Sequence, residues 1–227
     1  MALTSELTGA PRPRAVLWDM DGTLVDSEPL WGVALDEVAA ELGRPLTPQV
    51  REDITGTDDR TTMRLLARHT GTDATDAELE TLRLRIVARV AGLLEARVPV
   101  LEGALEAVRG LRAAGVPLAL VTSSPRRVAE ISLAALDGGA FDAVVTAEDV
   151  DRRKPDPEPY LLAARILGVE PHETWAVEDS PSGALAAEKA GCRVLLAPGA
   201  LAAARTPGRV ELAALAEVLA VGSDGPA

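Results

Sequence analysis

The sequence has one cysteine, Cys192, and two histidines, His69 and His172, in 227 residues. A single thiol excludes an intrachain disulfide and a cysteine cage for a metal, and it fits a reducing compartment. Two histidines leave no multi-histidine zinc site. Aromatic residues make up only 2% of a chain that is 47% hydrophobic. The core must therefore be built from Leu, Val and Ala, and the few large rings have to be located one by one. No run approaches the roughly 18 apolar residues of a membrane-spanning helix, and the opening MALTSELTGAPRPR lacks an apolar leader region. A cytoplasmic protein, outside any membrane, is expected. The strings Gly-x-Ser-x-Gly and Gly-x4-Gly-Lys-Ser/Thr do not occur, which removes the nucleophile elbow and the phosphate-binding P-loop. Cations are also scarce, with 23 Lys and Arg against 35 Asp and Glu and a formal net charge of −12. Such a surface repels nucleic-acid phosphates and anionic lipid, while a local cluster of cations can still hold a small phosphorylated molecule.

The stretch AVLWDMDGTLVDSE, from Ala15 to Glu28, raises a question of charge. Four apolar residues that read as a buried strand run into Asp19 and Asp21, whose alternate spacing in extended chain sends both carboxylates the same way. Each raises the cost of ionising the other, and both lose solvation at the end of a buried strand. Positive charge is required at that point.

Behind this strand the periodicity turns helical. Ser27 is placed to cap a helix with Pro29 in its first turn, and Gly43 stops it. Further helices are expected at about Asp59–Thr70 and Thr75–Arg97, the second opened by a Thr75-x-x-Glu78 capping box. Beyond Pro99, helix and strand alternate: a helix at about Gly103–Ala114, then VPLALVT, PRRVAEISLAAL, DAVVT, PEPYLLAARILG, TWAVE, PSGALAAEKAG, CRVLLA, and GRVELAALAEVLA as a closing helix. The strands are continuous apolar runs, as expected when helices cover both faces. The reading is an α/β fold with a doubly wound parallel sheet and an inserted all-helical domain. Residues 1–26 and 99–227 form the core in this division, and 27–98 the insertion.

Ligands of such sheets sit beyond the carboxyl ends of the strands. Asp19 and Asp21 follow the first strand, Thr122, Ser123 and Ser124 the second, and Glu178 and Asp179 the fourth, while Lys154 precedes the helix feeding that fourth strand. Several carboxylates on one dry edge, without His or Cys, favour a hard divalent cation, Mg²⁺. Hydroxyls, backbone N–H groups and an ammonium beside it suit the equatorial oxygens of a phosphoryl group.

The segments DMDGTLVDSE, LVTSS, KPDPEPY and VEDSPSG, in that order, resemble the four motifs of the haloacid dehalogenase superfamily. The helical insertion is similar to the cap of the branch containing β-phosphoglucomutase and the small sugar-phosphate phosphatases. The resemblance implies a phosphatase in which Asp19 is the nucleophile and Asp21 the general acid and base. It implies Mg²⁺ held by Asp19, the backbone carbonyl of Asp21 and Asp179, with Glu178 as an outer or alternate ligand. Thr122 and the Ser123 backbone N–H would hold the phosphoryl oxygens, and Lys154 would neutralise nucleophile and phosphate together. Ser124, Arg126 and Arg127 read as helix-capping and surface residues, with Arg126 the candidate for a further phosphate contact, and Gly56, in ITGTDDR, is the candidate pivot of a cap loop reaching the substrate.

Two other readings stand beside the phosphatase. A β-phosphoglucomutase-like mutase shares motifs and cap, but those mutases resemble one another in a His on the first cap helix, where this chain has Trp31. They tend to present an Arg to the far phosphate where this chain has Asp59. A phospho-accepting receiver, not an enzyme, would carry its acid after the third strand, where Val145 and Thr146 stand instead. The expectation is a monomer acting on a small-molecule phosphate ester, with no nucleic-acid or membrane partner.

Overall fold

The computed structural model describes residues 11–54, 57, 59–71 and 74–220. Among them, β1 (Ala15–Trp18), β2 (Leu118–Val121), β3 (Ala143–Val145), β4 (Thr174–Glu178), β5 (Arg193–Leu196) and β6 (Val210–Glu211) form one sheet in the order β3-β2-β1-β4-β5-β6. Every pairing is parallel, with Trp18 opposite Leu120 on one side and Val177 on the other. The chain builds outward from β1 to β3, then crosses to β4 on the far side of β1. The crevice at this reversal lies at the carboxyl end of β1, where a doubly wound sheet binds its ligand.

Two compact units make up the chain, one of Met1–Asp26 with Val98–Ala227 and one of Ser27–Arg97. In the first, α5 (Ala104–Ala113), α6 (Arg126–Ala135), α7 (Glu158–Leu167) and α8 (Pro181–Ala190) join the strands. All four residues of β1 and of β2 are buried, as the continuous apolar runs require. One face of the sheet packs Leu17, Ala119, Val121 and Val145 against Tyr160 and Ala163 of α7 and Ala184 and Ala187 of α8. Alanine takes the place of large rings there, so the helices approach the sheet closely. Trp18 and Trp175 are buried in the sheet, and Cys192 is a buried free thiol.

The second unit consists of α1 (Glu28–Glu41), α2 (Pro48–Ile54), α3 (Asp59–Thr70) and α4 (Asp76–Ala96). The Thr75–Glu78 capping box is present at the start of α4, with both reciprocal bonds made. Ser27 does not cap α1 through its side chain, because its backbone is already helical (φ −89°, ψ −17°) where a capping residue is extended. Helix α2 was not anticipated, although its signal is legible: Pro48 stands at the first position and Thr47 Oγ1 accepts the Val50 N–H at 3.3 Å.

The closing helix expected over GRVELAALAEVLA is corrected. Val210 and Glu211 pair with Leu195 and Leu196 as an edge strand, and a 3₁₀ helix, Leu215–Ala220, follows. Val210 and Leu212 are buried while Glu211 is half-buried, the alternation of a strand. Pairing satisfies the free edge of β5, which a helix could not do.

Candidate active site

Two strand ends deliver the acids and a third a hydroxyl. Asp19 leaves β1 with its N–H on the carbonyl of Val177 at 3.0 Å, Thr122 leaves β2 with its N–H on Val145 at 2.9 Å, and Glu178 closes β4 just before Asp179. Asp19, Glu178 and Asp179 each offer a carboxylate oxygen, all within 4.8 Å of one another. The turn between Asp21 and Val25 is tight, with the Gly22 N–H on the Val25 carbonyl at 2.8 Å. Gly22 has φ +81°, and a Cβ there would fall 2.2 Å from Asp179 Oδ2. Only glycine meets both demands.

Lys154 is the cation among these acids. Its Nζ donates to Asp19 Oδ1 at 2.6 Å, to Glu178 Oε1 at 2.6 Å and to the Val121 carbonyl at 2.9 Å. Burial lowers the affinity of this ammonium for its proton, but Asp19 and Glu178 more than reverse that, so Lys154 stays charged. Burial pushes the Asp19 carboxyl well above the usual carboxylate range; Lys154 opposes the rise, and Glu178, Asp179 and Asp21 add to it. Asp179 is pushed up to about 7 by burial and by the charge of Glu178. The cluster thus holds more negative charge than one ammonium compensates. A hard cation with all-oxygen ligands fits the donor set of Asp19, Asp179 and Glu178.

Asp21 occupies a different environment. Its Oδ2 accepts the hydroxyls of Ser124 at 2.8 Å and Thr122 at 3.1 Å, and Thr122 Oγ1 in turn accepts the Ser124 N–H at 2.9 Å. Two carboxylates from one turn are therefore held apart, one against the ammonium and the other acids, one against neutral hydroxyls.

Asp19, Lys154, Glu178 and Asp179 are thus brought together by direct contacts and the three-acid cluster, and Asp21 and Thr122 by a hydrogen bond of their own. Ser123 follows Thr122 and is exposed. Arg126 is engaged elsewhere: its guanidinium holds Asp149 at 2.5 Å and its N–H meets Glu148 at 2.9 Å. Trp31 is half-buried and lines a cavity of about 170 Å³ within the helical unit, with Leu35, Ile54, Thr62, Met63 and Arg83 among its neighbours. Gly56 and the side chain of Asp59 lie outside the described residues.

Two contacts of the site were not anticipated. Ser124, read as a helix cap, is buried and bonds Asp21 instead; its spacing from Thr122 in extended chain was the available signal. Tyr160 is fully buried, and its hydroxyl donates to Glu178 Oε1 at 2.5 Å. Burial pushes its pKa up, with Glu178 and Asp19 adding to the rise, so the hydroxyl keeps its proton. A sole tyrosine in a core helix needs an acceptor, and that was its signal.

Acids and hydroxyls at the central strand ends of a parallel sheet, with a lysine brought in from a loop, make up the candidate site. The model of the haloacid dehalogenase-like hydrolase family matches residues 13–191, and the chain belongs to that family. It is 38% identical over 181 residues to a phosphorylated carbohydrates phosphatase of Thermotoga maritima, covering 78% of this chain and 81% of that one. It is 35% identical over 179 residues to the validoxylamine A 7'-phosphate phosphatase of Streptomyces hygroscopicus subsp. limoneus, covering 78% and 82%. The crystal structure of a candidate β-phosphoglucomutase from Thermotoga maritima matches with a TM-score of 0.73 at 32% identity, covering 90% of this chain and 96% of that one.

Proposed function

We propose that this chain is a cytoplasmic Mg²⁺-dependent phosphatase that hydrolyses a small phosphorylated sugar, polyol or related metabolite through an aspartyl phosphate on Asp19. The observation that carries the reading is the separation of Asp19 and Asp21: Lys154 and the acid cluster around one, the hydroxyls of Thr122 and Ser124 on the other. A nucleophile needs charge neutralisation as it approaches an anionic ester, whereas a proton carrier needs a fixed carboxylate outside that charge.

In the first half-reaction an Asp19 oxygen attacks phosphorus and the ester P–O bond breaks, with Asp21 donating a proton to the leaving alcohol. In the second, Asp21 takes a proton from water as that water attacks phosphorus, and Asp19 leaves as a carboxylate with release of inorganic phosphate. Thr122 and the Ser123 N–H hold phosphoryl oxygens, and Lys154 neutralises nucleophile and phosphate. Asp19, Asp179 and the Asp21 carbonyl would hold Mg²⁺, with Glu178 as an outer or alternate ligand, and the ion would supply the positive charge the buried acids lack. The helical unit, residues 27–98 in this reading, carries the selectivity for the alcohol.

Phosphatase is favoured over mutase by Trp31, since an indole cannot shuttle the proton that transfer between two sugar hydroxyls requires. The phosphatase-named relatives support the same choice. The test is a panel of phosphorylated metabolites assayed for inorganic phosphate with Mg²⁺. Hexose or pentitol phosphates are expected to turn over, and EDTA to abolish the activity. Undiminished turnover without metal, or isomerisation of β-glucose 1-phosphate faster than phosphate release, would overturn the proposal.

A further inference from the structure

We infer that Tyr160 is a positioning residue of this site, acting through Glu178 on the placement of Lys154; the inference rests on Asp19 being the nucleophile. An ammonium has three protons. Those of Lys154 go to Asp19, Glu178 and the Val121 carbonyl, so its charge is divided between two carboxylates at equal distances of 2.6 Å. What fixes the division is how strongly each carboxylate attracts it. Glu178 Oε1 accepts a second donor, the Tyr160 hydroxyl at 2.5 Å, while its Oε2 takes the Ser180 hydroxyl at 3.2 Å. Both oxygens of this fully buried acid therefore already accept a protein donor.

Glu178 also cannot turn away, because α8 approaches it so closely that a Cβ on Gly183 would fall 1.9 Å from Oε1. The Tyr160 ring adds a second restraint, its centroid 5.1 Å from Lys154 Nζ. A ring face at that range favours the ammonium where it stands. Without the hydroxyl, Glu178 Oε1 would carry more uncompensated charge and draw Lys154 from Asp19. Asp19 would lose its counter-charge, and the cluster would attract a divalent cation more strongly.

The experiment compares Tyr160→Phe with wild type for kcat, KM, thermal midpoint, and Mg²⁺ binding by calorimetry without substrate. Phenylalanine keeps the ring and its packing, so folding is retained. A hydrogen bond to a charged group is a strong one. The expected loss in kcat is about tenfold, the equivalent of about 1.4 kcal/mol, with KM unchanged. Mg²⁺ should bind several-fold tighter, and in a Glu178→Gln background Tyr160→Phe should have no effect on Mg²⁺ affinity. A purely structural tyrosine would lower the midpoint and leave Mg²⁺ affinity where it was. That result, or an indifferent variant of an active enzyme, overturns the inference alone. Wild-type protein that neither binds Mg²⁺ nor releases phosphate defeats the phosphatase reading, and the inference with it.

Discussion

Gly183→Ala should destabilise this protein, although alanine is the better helix former. In an exposed helix interior the exchange gains up to about 1 kcal/mol. At position 183 the added Cβ would lie 1.9 Å from Glu178 Oε1 and 2.1 Å from Oε2 and the carboxyl carbon. Those atoms end a flexible side chain, but this one is fully buried and held by Lys154, Tyr160 and Ser180. Relief requires Glu178 to give up one or more of these bonds. A bond to a charged group contributes about 1.5–3 kcal/mol, and overpacking costs about 1–3 kcal/mol. Setting the helix gain against the sum leaves a net loss of about 1.5–5 kcal/mol. For a chain of this size that corresponds to a fall in thermal midpoint of roughly 3–20 °C. The control is Gly92→Ala in α4, where a Cβ meets nothing within 4 Å, and where the midpoint should hold or rise. Differential scanning calorimetry of the two variants decides the matter. A Gly183→Ala protein as stable as Gly92→Ala would show that Glu178 is not pinned, and would remove the packing argument for the site.

Asp19→Asn should abolish turnover and covalent labelling. Asp21→Asn should still accept a phosphoryl group from an ester with a good leaving group yet hydrolyse the adduct slowly; borohydride trapping that maps to another residue would refute the assignment. The Ser124→Ala variant, which removes one of the two hydroxyls on Asp21 Oδ2, should lower kcat by about tenfold with KM unchanged, and steady-state kinetics on a responsive substrate checks it. Asp149 supplies a test of pH dependence. Burial works against its charge, but the Thr146 N–H and hydroxyl and the Arg126 guanidinium outweigh burial and hold its carboxyl below the usual range. The stability it confers is complete above about pH 4 and is lost as pH falls through its folded value. The gap in urea midpoint between wild type and Asp149→Asn should therefore narrow in acid, and a constant gap would refute the account.

Much of the sheet was legible in the sequence because strands covered on both faces have to be apolar throughout, and AVLW, LALV and TWAVE are bounded by turn residues. Val210–Glu211 was not, because VELAALAEVL satisfies a helical period as well as an alternating one. Only the unpaired edge of β5, a tertiary circumstance, selects the strand. Helix α2 escaped because seven residues are too few for periodicity to declare itself, so that its Thr47-Pro48 start was the sole cue.

The site divides along the same line. Asp19, Asp21, Thr122, Glu178 and Asp179 were legible because strand ends place them, and strand ends are local features. The contacts of Ser124 and Tyr160 were not, since each acts on a partner from another element: Asp21 stands 103 residues from Ser124, and Glu178 stands 18 from Tyr160. Alternation could nominate a direction for Ser124, but nothing in sequence says what lies in that direction. The positive charge demanded by Asp19 and Asp21 shows both sides of this. Lys154 meets part of the demand, and its role depends on a loop that returns to β1 from 135 residues away. The remainder shows at Asp179, whose carboxyl is pushed up to about 7 by burial and Glu178 even with the ammonium in place. Three carboxylates gathered about one ammonium form an all-oxygen donor set, and a hard cation fits that chemistry.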